Sequence, residues 1–593
     1  MRRLLFLPVE GESTEPEQSA PPTSAPWWRR LGLVLLLGVA HGVLGTFCFE
    51  PYGQFYLAWL ALVPLMWVGG HATSGWRALG SGFLVGLFAS FGCFWWLAAV
   101  GFMPMLGLVV YVAAFSAMFA VIWRPVAKLA TTPMRTLGVV FLAAALWAGL
   151  EYLRGIAFTG IPMSLIGQSQ TPMLMSIQIA DITGVYGVSA WVALVSATVW
   201  AVVEHRKQLK LAIPSAAVTF AVVALVMVYG AYRLRGGPAS LAAGPRVLLV
   251  QPNDRLDNTN LPEEAPIIQW HLGATADALA GQSEPIDFVV WSESSGPTLN
   301  DEYLLDLLNL ERSASNNSAA NAPLLNWLEE KIGTIRDTRR VLETMSTFGP
   351  AVLLGGGHEE LQVTDEGRLR SENRRNSVYL FRDGQKSSLR YDKQHLVPFG
   401  EYIPFKDSSP PLSWAHEFFQ LFNPWPPDVS PMMPGEEQTV FAVENRSGDG
   451  PAEWRLVTPI CFEDLFGYRA RMLVWDGGTR RADMLVNATN DGWFLGPMMD
   501  SHLQMSLFRC IETRTPMVRA VNTGVSAIID AHGRVRDRLP ASVEGTLVGR
   551  VPLGEAAPPY VYIGDLFGRL MLAVTGVVVL VEIGGAAAGK MKR

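Results

Sequence analysis

Charge is scarce in this chain of 593 residues: Asp, Glu, Lys and Arg make up 17% of it, against about 25% in ordinary soluble proteins. The shortage is local. Residues 31–203 carry eight charged side chains among 173, whereas the stretch after Arg235 has ordinary charge density. That split excludes a wholly soluble protein and divides the chain into a membrane part and an aqueous domain. Surplus positive charge is also missing. Lys and Arg number 47 against 53 Asp and Glu, a formal net charge of -6, so no general cationic field supports extended nucleic-acid binding. Cysteine is rare too: Cys48, Cys93, Cys461 and Cys510 are too few for a disulfide scaffold. The first two fall in apolar runs, where a thiol behaves as a small hydrophobe. Cysteine chemistry is left to Cys461 or Cys510, and Cys510, on an expected helix with His502, reads as a packed side chain.

What is present is a series of apolar runs at 31–49, 55–70, 78–100, 104–123, 136–153, 184–203, 211–232 and 567–584. Each approaches the about 20 residues a helix needs to cross a hydrocarbon core of about 30 Å, the second being short. Eight crossings put both termini on one side. Lys and Arg in short connections favour the cytoplasm. One set of loops holds Arg77, then Arg124, Lys128 and Arg135, then Arg206, Lys207 and Lys210; the opposite set, 50–54, 101–103 and 154–183, offers Arg154 alone. Both termini are therefore expected in the cytoplasm, and the domain between the last two crossings outside it. Arg233 and Arg235 run against this pattern, an exception that long translocated domains tolerate. The expected organisation is a disordered cytoplasmic tail over 1–26, rich in Pro, Ser, Glu and Thr; helices one to seven over 27–235; an extracytoplasmic domain over 236–560; and helix eight with a short cytoplasmic tail over 561–593. Glu151 and Asp181 lie in or beside apolar runs, where ionisable groups are costly. They are expected at segment ends in contact with water, or orienting a lipid headgroup.

In the outer domain, short β-rich runs at 246–251, 287–291, 351–355, 377–381, 454–460, 484–487 and 525–530 alternate with helical stretches at 262–280, 324–346 and 501–514. The pattern is that of a layered α/β domain. A Ser/Asn/Ala tract at 313–322 reads as a flexible insertion.

Cys461 ends an apolar run and is followed at once by Phe462, Glu463 and Asp464. A nucleophile at a strand end sits where loops can surround it, although a cysteine taken alone is more often inert core. Glu293 likewise terminates an apolar strand, and Lys393 stands where a charged stretch runs into the turn Leu396-Val-Pro-Phe-Gly-Glu401. The three make chemical sense together for acyl transfer: a carboxylate takes the thiol proton, an ammonium steadies thiolate and oxyanion, and sulfur carries the acyl group. Cys461 has only acidic neighbours in sequence, so a cation must come from elsewhere in the fold, with Lys393 the candidate.

On the strings Trp291-Ser-Glu293, Lys393-Gln-His-Leu-Val-Pro-Phe-Gly-Glu401, Cys461-Phe-Glu463, Asn490-Asp-Gly-Trp-Phe494, His502-Leu-Gln-Met, Arg509, Arg519-Ala-Val-Asn522 and Gly524-Val-Ser, the chain resembles the nitrilase (carbon-nitrogen hydrolase) superfamily. Within it, the closest resemblance is to the membrane-embedded apolipoprotein N-acyltransferase family. The resemblance implies an αββα sandwich on a bundle of eight transmembrane helices in the bacterial inner membrane; a monomer is expected. It implies Glu293 as general base, Lys393 as oxyanion stabiliser and Cys461 as nucleophile, with Glu401 and Glu463 as supporting acids. Beside these, Phe462 next to the nucleophile, and Asn490 and Trp493 after the run 484–487, are expected to support the site, although Asn490-Asp-Gly also reads as a structural turn. The implied reaction moves an acyl chain from a phospholipid to the cysteine as a thioester. It then passes to the α-amino group of a diacylglyceryl-modified apolipoprotein, without metal or organic cofactor. The family usually has Pro before the Glu and Tyr after the Cys, where this chain has Ser292 and Phe462; Trp270 does not align with a tryptophan found early in the family's domain.

The segment 408–433 carries Trp414, Phe418, Phe419, Phe422 and Trp425 among prolines, and reads either as an arm dipping into the membrane interface or as a loop packed on its own domain. Two rival functions remain open at this point. One is a membrane-anchored amidase in which water takes the acyl group; the other is a transporter with an outer binding domain, although few polar groups fall at the bilayer midplane.

Overall fold

The computed structural model describes residues 27–591 except 236, 238–240, 255–263, 316–321, 364–368, 407, 411, 421–430, 449 and 495. The expected tail at 1–26, the centre of the 313–322 tract, Phe422 and Trp425 lie outside the described residues.

Seven helices among the described residues are long and apolar enough to cross a membrane: Trp27–Phe47, Gly75–Ala99, Phe102–Ala127, Pro133–Ile156, Val185–Glu204, Ile213–Arg233 and Leu566–Gly584. The expected second crossing differs. Phe55–Gly70 is broken into short helical pieces, Phe55–Leu57, Ala58–Ala61 and Val63–Gly70, because Pro64 opens the last piece and offers no N–H to extend the one before it. At about 1.5 Å per residue its 16 residues fall short of a full span, and Leu62, Leu65 and Met66 are buried in the bundle core. The 313–322 tract is flanked by two helices, Asp301–Ser315 and Ala322–Phe348, which pack together around Tyr303, Leu307, Leu328 and Ile332.

The described residues contain fourteen strands: β1 Ala243–Gln251, β2 Phe288–Trp291, β3 Ala351–Val363, β4 Leu369–Arg382, β5 Gln385–Asp392, β6 Phe441–Glu444, β7 Glu453–Val457, β8 Trp475–Asp476, β9 Thr479–Arg480, β10 Met484–Thr489, β11 Met517–Val521, β12 Ser526–Ile529, β13 Val535–Leu539 and β14 Gly545–Pro552. Two six-stranded sheets result, ordered β14-β1-β2-β3-β4-β5 and β13-β12-β11-β10-β7-β6. β1, β2 and β3 run parallel, as do β7, β10 and β11. Continuous apolar runs suit strands buried on both faces. Val247, Leu249, Phe288 and Val290 meet the second sheet's Leu456, Leu485 and Ile528 between the layers. Their alternating neighbours Leu248, Val250, Val289 and Trp291 pack outward with Trp270 and Leu342 from the covering helices. Trp270 therefore belongs to the helical cover of the first sheet. These are the layers of a nitrilase-like α/β sandwich.

Helix Pro497–Thr513 joins this sandwich to the bundle. Leu503, Leu507 and Cys510 face the sheets, whereas Phe508 and Ile511 belong to the bundle core. A helix buried on all sides needs polar partners as well: the Gln504 amide donates to Thr171 Oγ1 (2.8 Å), and the Val185 N–H donates to Glu512 Oε1 (3.0 Å).

Glu151 and Asp181 are buried, contrary to the expectation that they face water. The Glu151 carboxylate accepts from Trp147 Nε1 (3.0 Å) and the Ile166 N–H (2.8 Å). Asp181 pairs with Arg514 at 2.6 Å and with Arg233 at 3.1 Å, and Arg233 reaches Glu555 at 2.7 Å. The arginine that broke the charge pattern is therefore an ion-pair partner joining the bundle to the α/β domain.

Candidate active site

Glu293, Lys393, Cys461 and Asn490 all stand just beyond the C-terminal ends of strands that run in one direction within their sheet: β2, β5, β7 and β10. Strand order gathers them at one rim, the usual place for a site in such folds.

β7 leaves the sheet through Thr458-Pro-Ile460, and Ile460 makes a last bridge to Ala488. Cys461 then takes φ +49°, a left-handed conformation costly for a residue with a side chain, and opens the turn Cys461–Leu465. Glu463 holds that turn. Its Oε2 accepts the Ile460 N–H (2.8 Å) and the Tyr391 hydroxyl (2.9 Å), while Oε1 accepts the N–H groups of Gln394 (2.8 Å) and His395 (2.9 Å). One fully buried carboxylate thus fixes the cysteine turn against the segment that carries Lys393. Burial pushes the Glu463 pKa up despite these backbone donors.

The Lys393 N–H donates to Asn376 O (2.8 Å) and its carbonyl accepts from Gly435 N–H (2.8 Å); a Cβ at Gly435 would lie 2.3 Å from Asp392 O, so this approach requires glycine. The ammonium stands 2.8 Å from Glu401 Oε1 and 3.5 Å from Glu293 Oε1. Burial opposes its charge, but Glu401 and Glu293 outweigh burial and hold its pKa above the ordinary range. Glu401 is itself anchored by the Val397 N–H (2.7 Å).

Glu293 is buried, with Oε1 accepting from Asn376 Nδ2 (2.6 Å) and Oε2 from the Asn490 N–H (2.8 Å). Room for its loop comes from β3, where a Cβ at Gly355 would lie 2.7 Å from Glu293 Cα. Burial raises the carboxyl pKa, with Lys393 working against it. The Cys461 thiol is raised well above its ordinary value by burial and then by Glu293, again opposed by Lys393. The resting sulfur therefore keeps its proton. The arrangement sets a carboxylate of raised basicity and an ammonium beside a protonated thiol, a combination that can accept a proton from sulfur and balance the charge left behind.

Phe462 is buried between Phe466 (centroids 5.2 Å) and His395 (5.8 Å). It shares an apolar cluster with Phe94, Trp96, Met105 and Val109 of the membrane helices and with Met498 and Met505. Asn490 Oδ1 accepts from Gly492 N–H (3.0 Å) and Asn522 Nδ2 (3.0 Å). Trp493 is partly exposed on the next turn, and Phe494 packs edge-on to Trp96 at 4.7 Å. Trp414, Phe418 and Phe419 lie on helix Leu412–Gln420. Trp414 and Phe418 are exposed, whereas Phe419 meets Phe399 at 5.1 Å and Phe405 at 6.4 Å. Phe405 in turn meets Phe158 at the bundle's end, 5.8 Å away.

Cys510 is buried against the sheets, as expected of packing. Sequence reasoning missed Asn376 and Tyr391: Asn376 sits inside β4, just before its apolar run, and Tyr391 lies in the polar strand β5, so neither position stood out from its neighbours. Among the described residues, no group of three or more His, Cys, Asp and Glu has the geometry to hold a metal ion.

Comparison with known proteins gives two family matches. Residues 41–198 match the apolipoprotein N-acyltransferase N-terminal domain, and residues 246–558 match the carbon-nitrogen hydrolase family. The apolipoprotein N-acyltransferase of Geobacter metallireducens is 30% identical over 92% of this chain and 94% of its own length; that of Rhodopseudomonas palustris is 27% identical over 94% and 95%. Among solved structures, a mutant Nesterenkonia amidase of the nitrilase superfamily aligns over 56% of this chain and 97% of its own, at 14% identity and a TM-score of 0.33. The first match falls on the bundle itself, so the helices are part of the family's domain plan and not an anchor appended to an amidase. The chain belongs to the apolipoprotein N-acyltransferase family.

Proposed function

We propose that this enzyme transfers an acyl chain from a membrane phospholipid to the α-amino group of the N-terminal diacylglyceryl-cysteine of an apolipoprotein, with Glu293, Lys393 and Cys461 as its catalytic residues. In the first half-reaction Glu293 takes the Cys461 proton as the sulfur attacks the donor ester carbonyl. The oxyanion of the tetrahedral intermediate faces the Lys393 ammonium. Collapse breaks the ester bond, and the proton held by Glu293 leaves with the lysophospholipid hydroxyl. In the second half-reaction the acceptor amine attacks the thioester carbonyl, Glu293 takes the proton it loses, and Cys461 departs and regains a proton as the thiol.

One observation carries this reading. The residue after the nucleophile, Phe462, is embedded in an apolar cluster built half from membrane helices, so the sulfur stands where an acyl chain leaving the bilayer needs no crossing of water. Glu401 and Glu463 orient Lys393 and the cysteine turn; Asn490 orients Glu293; Trp493 and Phe462 line the site. The exposed Trp414 and Phe418 support an arm that enters the membrane interface, with Phe419 as its inner anchor. The charge distribution of the loops supports an inner-membrane protein with cytoplasmic termini and a periplasmic catalytic domain over 236–560, and the enzyme works as a monomer.

The test is mass spectrometry of the enzyme after exposure to phospholipid alone. A thioester at Cys461 is expected, absent in Cys461→Ala and Cys461→Ser; acylation at another residue would overturn the assignment.

A further inference from the structure

Behind the cysteine turn lies a second charged cluster that the proposed reaction does not use. Asp464, three residues after Cys461 in the same turn, Asp491, Arg519 and His502 are at most 2% exposed. His502 comes from helix Pro497–Thr513, Asp491 from the turn after β10, and Arg519 from β11. His502 Nε2 is 3.0 Å from Asp464 Oδ1, and His502 Nδ1 is 2.8 Å from Asp491 Oδ1. Arg519 bonds Asp464 Oδ2 and approaches Asp491 Oδ2 at 3.6 Å, and the Ser506 hydroxyl donates to Asp464 Oδ2 at 2.7 Å.

The geometry points to His502 being a doubly protonated imidazolium that serves as a positioning residue for acyl transfer, clamping the turn of the nucleophile to the turn that holds the general base.

Two arguments carry this. Each ring nitrogen faces a carboxylate oxygen, and an ionised carboxylate only accepts hydrogen bonds, so both nitrogens must donate; a neutral imidazole has a single N–H. Charge count agrees. Asp464 and Asp491 against Arg519 alone leave one buried negative charge, and an uncompensated buried charge is heavily penalised; a cationic His502 makes the cluster neutral. Burial lowers the His502 pKa and Arg519 opposes its charge, but Asp464 and Asp491 prevail and raise it to about 9.

The clamp acts on the site through the backbone. Asp464 shares the turn Cys461–Leu465 with the nucleophile. Asp491 directly follows Asn490, whose N–H binds Glu293 Oε2. The ring therefore fixes the separation of sulfur and base without touching either. It also offsets Asp491, one of the carboxylates that raise the Cys461 thiol pKa.

This inference rests on Cys461 as nucleophile and Glu293 as base. The first measurement is independent of both: ¹⁵N NMR of the histidine-labelled intact enzyme in lipid nanodiscs. A histidine doubly protonated at pH 7.5, losing a proton near pH 9 and missing from the spectrum of His502→Gln, is expected; finding every histidine neutral at pH 7.5 would overturn the proposal. The second is the rate of Cys461 thioester formation from phospholipid between pH 6 and 10. His502→Gln should lower that rate by about 100-fold at pH 7.5, as misplacement of reacting groups does, with the donor KM unchanged. The double variant His502→Gln/Asp464→Asn, again charge-balanced, should recover part of the loss. A wild-type rate in His502→Gln, or no recovery in the double variant, would reject the positioning role. Absence of any thioester at Cys461 in the wild-type enzyme would instead reject the nucleophile assignment, leaving the NMR result to stand on its own.

Discussion

Two buried charged clusters flank the Cys461 turn, and they differ in balance. Behind the turn, two carboxylates meet two cations. In front of it, the Lys393 ammonium faces two carboxylates, Glu293 and Glu401, and one negative charge is left over. A cluster that cancels its own charge is suited to holding geometry, whereas a cluster with a surplus is suited to moving a proton, because burial already pushes Glu293 towards accepting one. The difference separates structural from chemical use of the same residue types within one short stretch of chain.

Substitutions in the unbalanced cluster should have the largest effects. Lys393→Met removes the cation from both half-reactions and leaves two carboxylates facing each other. Thioester formation and transfer to a diacylated lipopeptide, each followed by single-turnover mass spectrometry, should both fall by at least about 10²–10³-fold, the loss typical of a missing oxyanion donor. Glu293→Gln keeps the shape, brings the cluster to neutrality and removes the base. Thioester formation should slow by about 10²–10⁴-fold while the protein's melting temperature holds or rises. A fall in melting temperature with normal acylation would reverse the roles given to the two clusters.

The balanced cluster should show itself through pH. His502 is raised from 6.5 to about 9, so its proton stabilises the folded state. That contribution is complete below pH 6.5, declines as pH rises through 9 and is then lost, a change of about 3 kcal/mol. Chemical unfolding of the intact protein at pH 6 and at pH 10 measures it, and His502→Gln should flatten this part of the profile. The smallest effect belongs to the arm. Trp414→Ser with Phe418→Ser should raise the KM for vesicle-borne phospholipid severalfold and leave kcat unchanged, since both rings are exposed and neither touches the charged clusters.

Much of this was legible beforehand. Apolar runs located the spanning helices, and the strings around Glu293, Lys393 and Cys461 named residues that the fold brings to one rim. What escaped has a common physical cause, a partner distant in sequence. Asp181 reads as a segment-end carboxylate until Arg514, 333 positions later, is seen beside it. Arg233 reads as a breach of the charge pattern until Glu555 is seen. Helix Pro497–Thr513 has a recognisable helical sequence, but its burial on every side depends on Thr171 and Val185 from the bundle. The broken segment Phe55–Gly70 was legible in principle, since Pro64 stands in its middle, but its apolar composition concealed the break.

That helix has a consequence for how the enzyme can be handled. Phe508 and Ile511 are pressed into the bundle core while the neighbouring Leu503 and Leu507 are pressed into the sheets, and His502, in its second turn, holds the turns of Asp464 and Asp491. Separating the α/β domain from the bundle would strip one flank of this rod bare and slacken the hold of His502. The reaction centre is thus inseparable from the lipid-embedded half of the chain, and solvents or detergents that loosen the bundle should silence chemistry before they unfold a single strand.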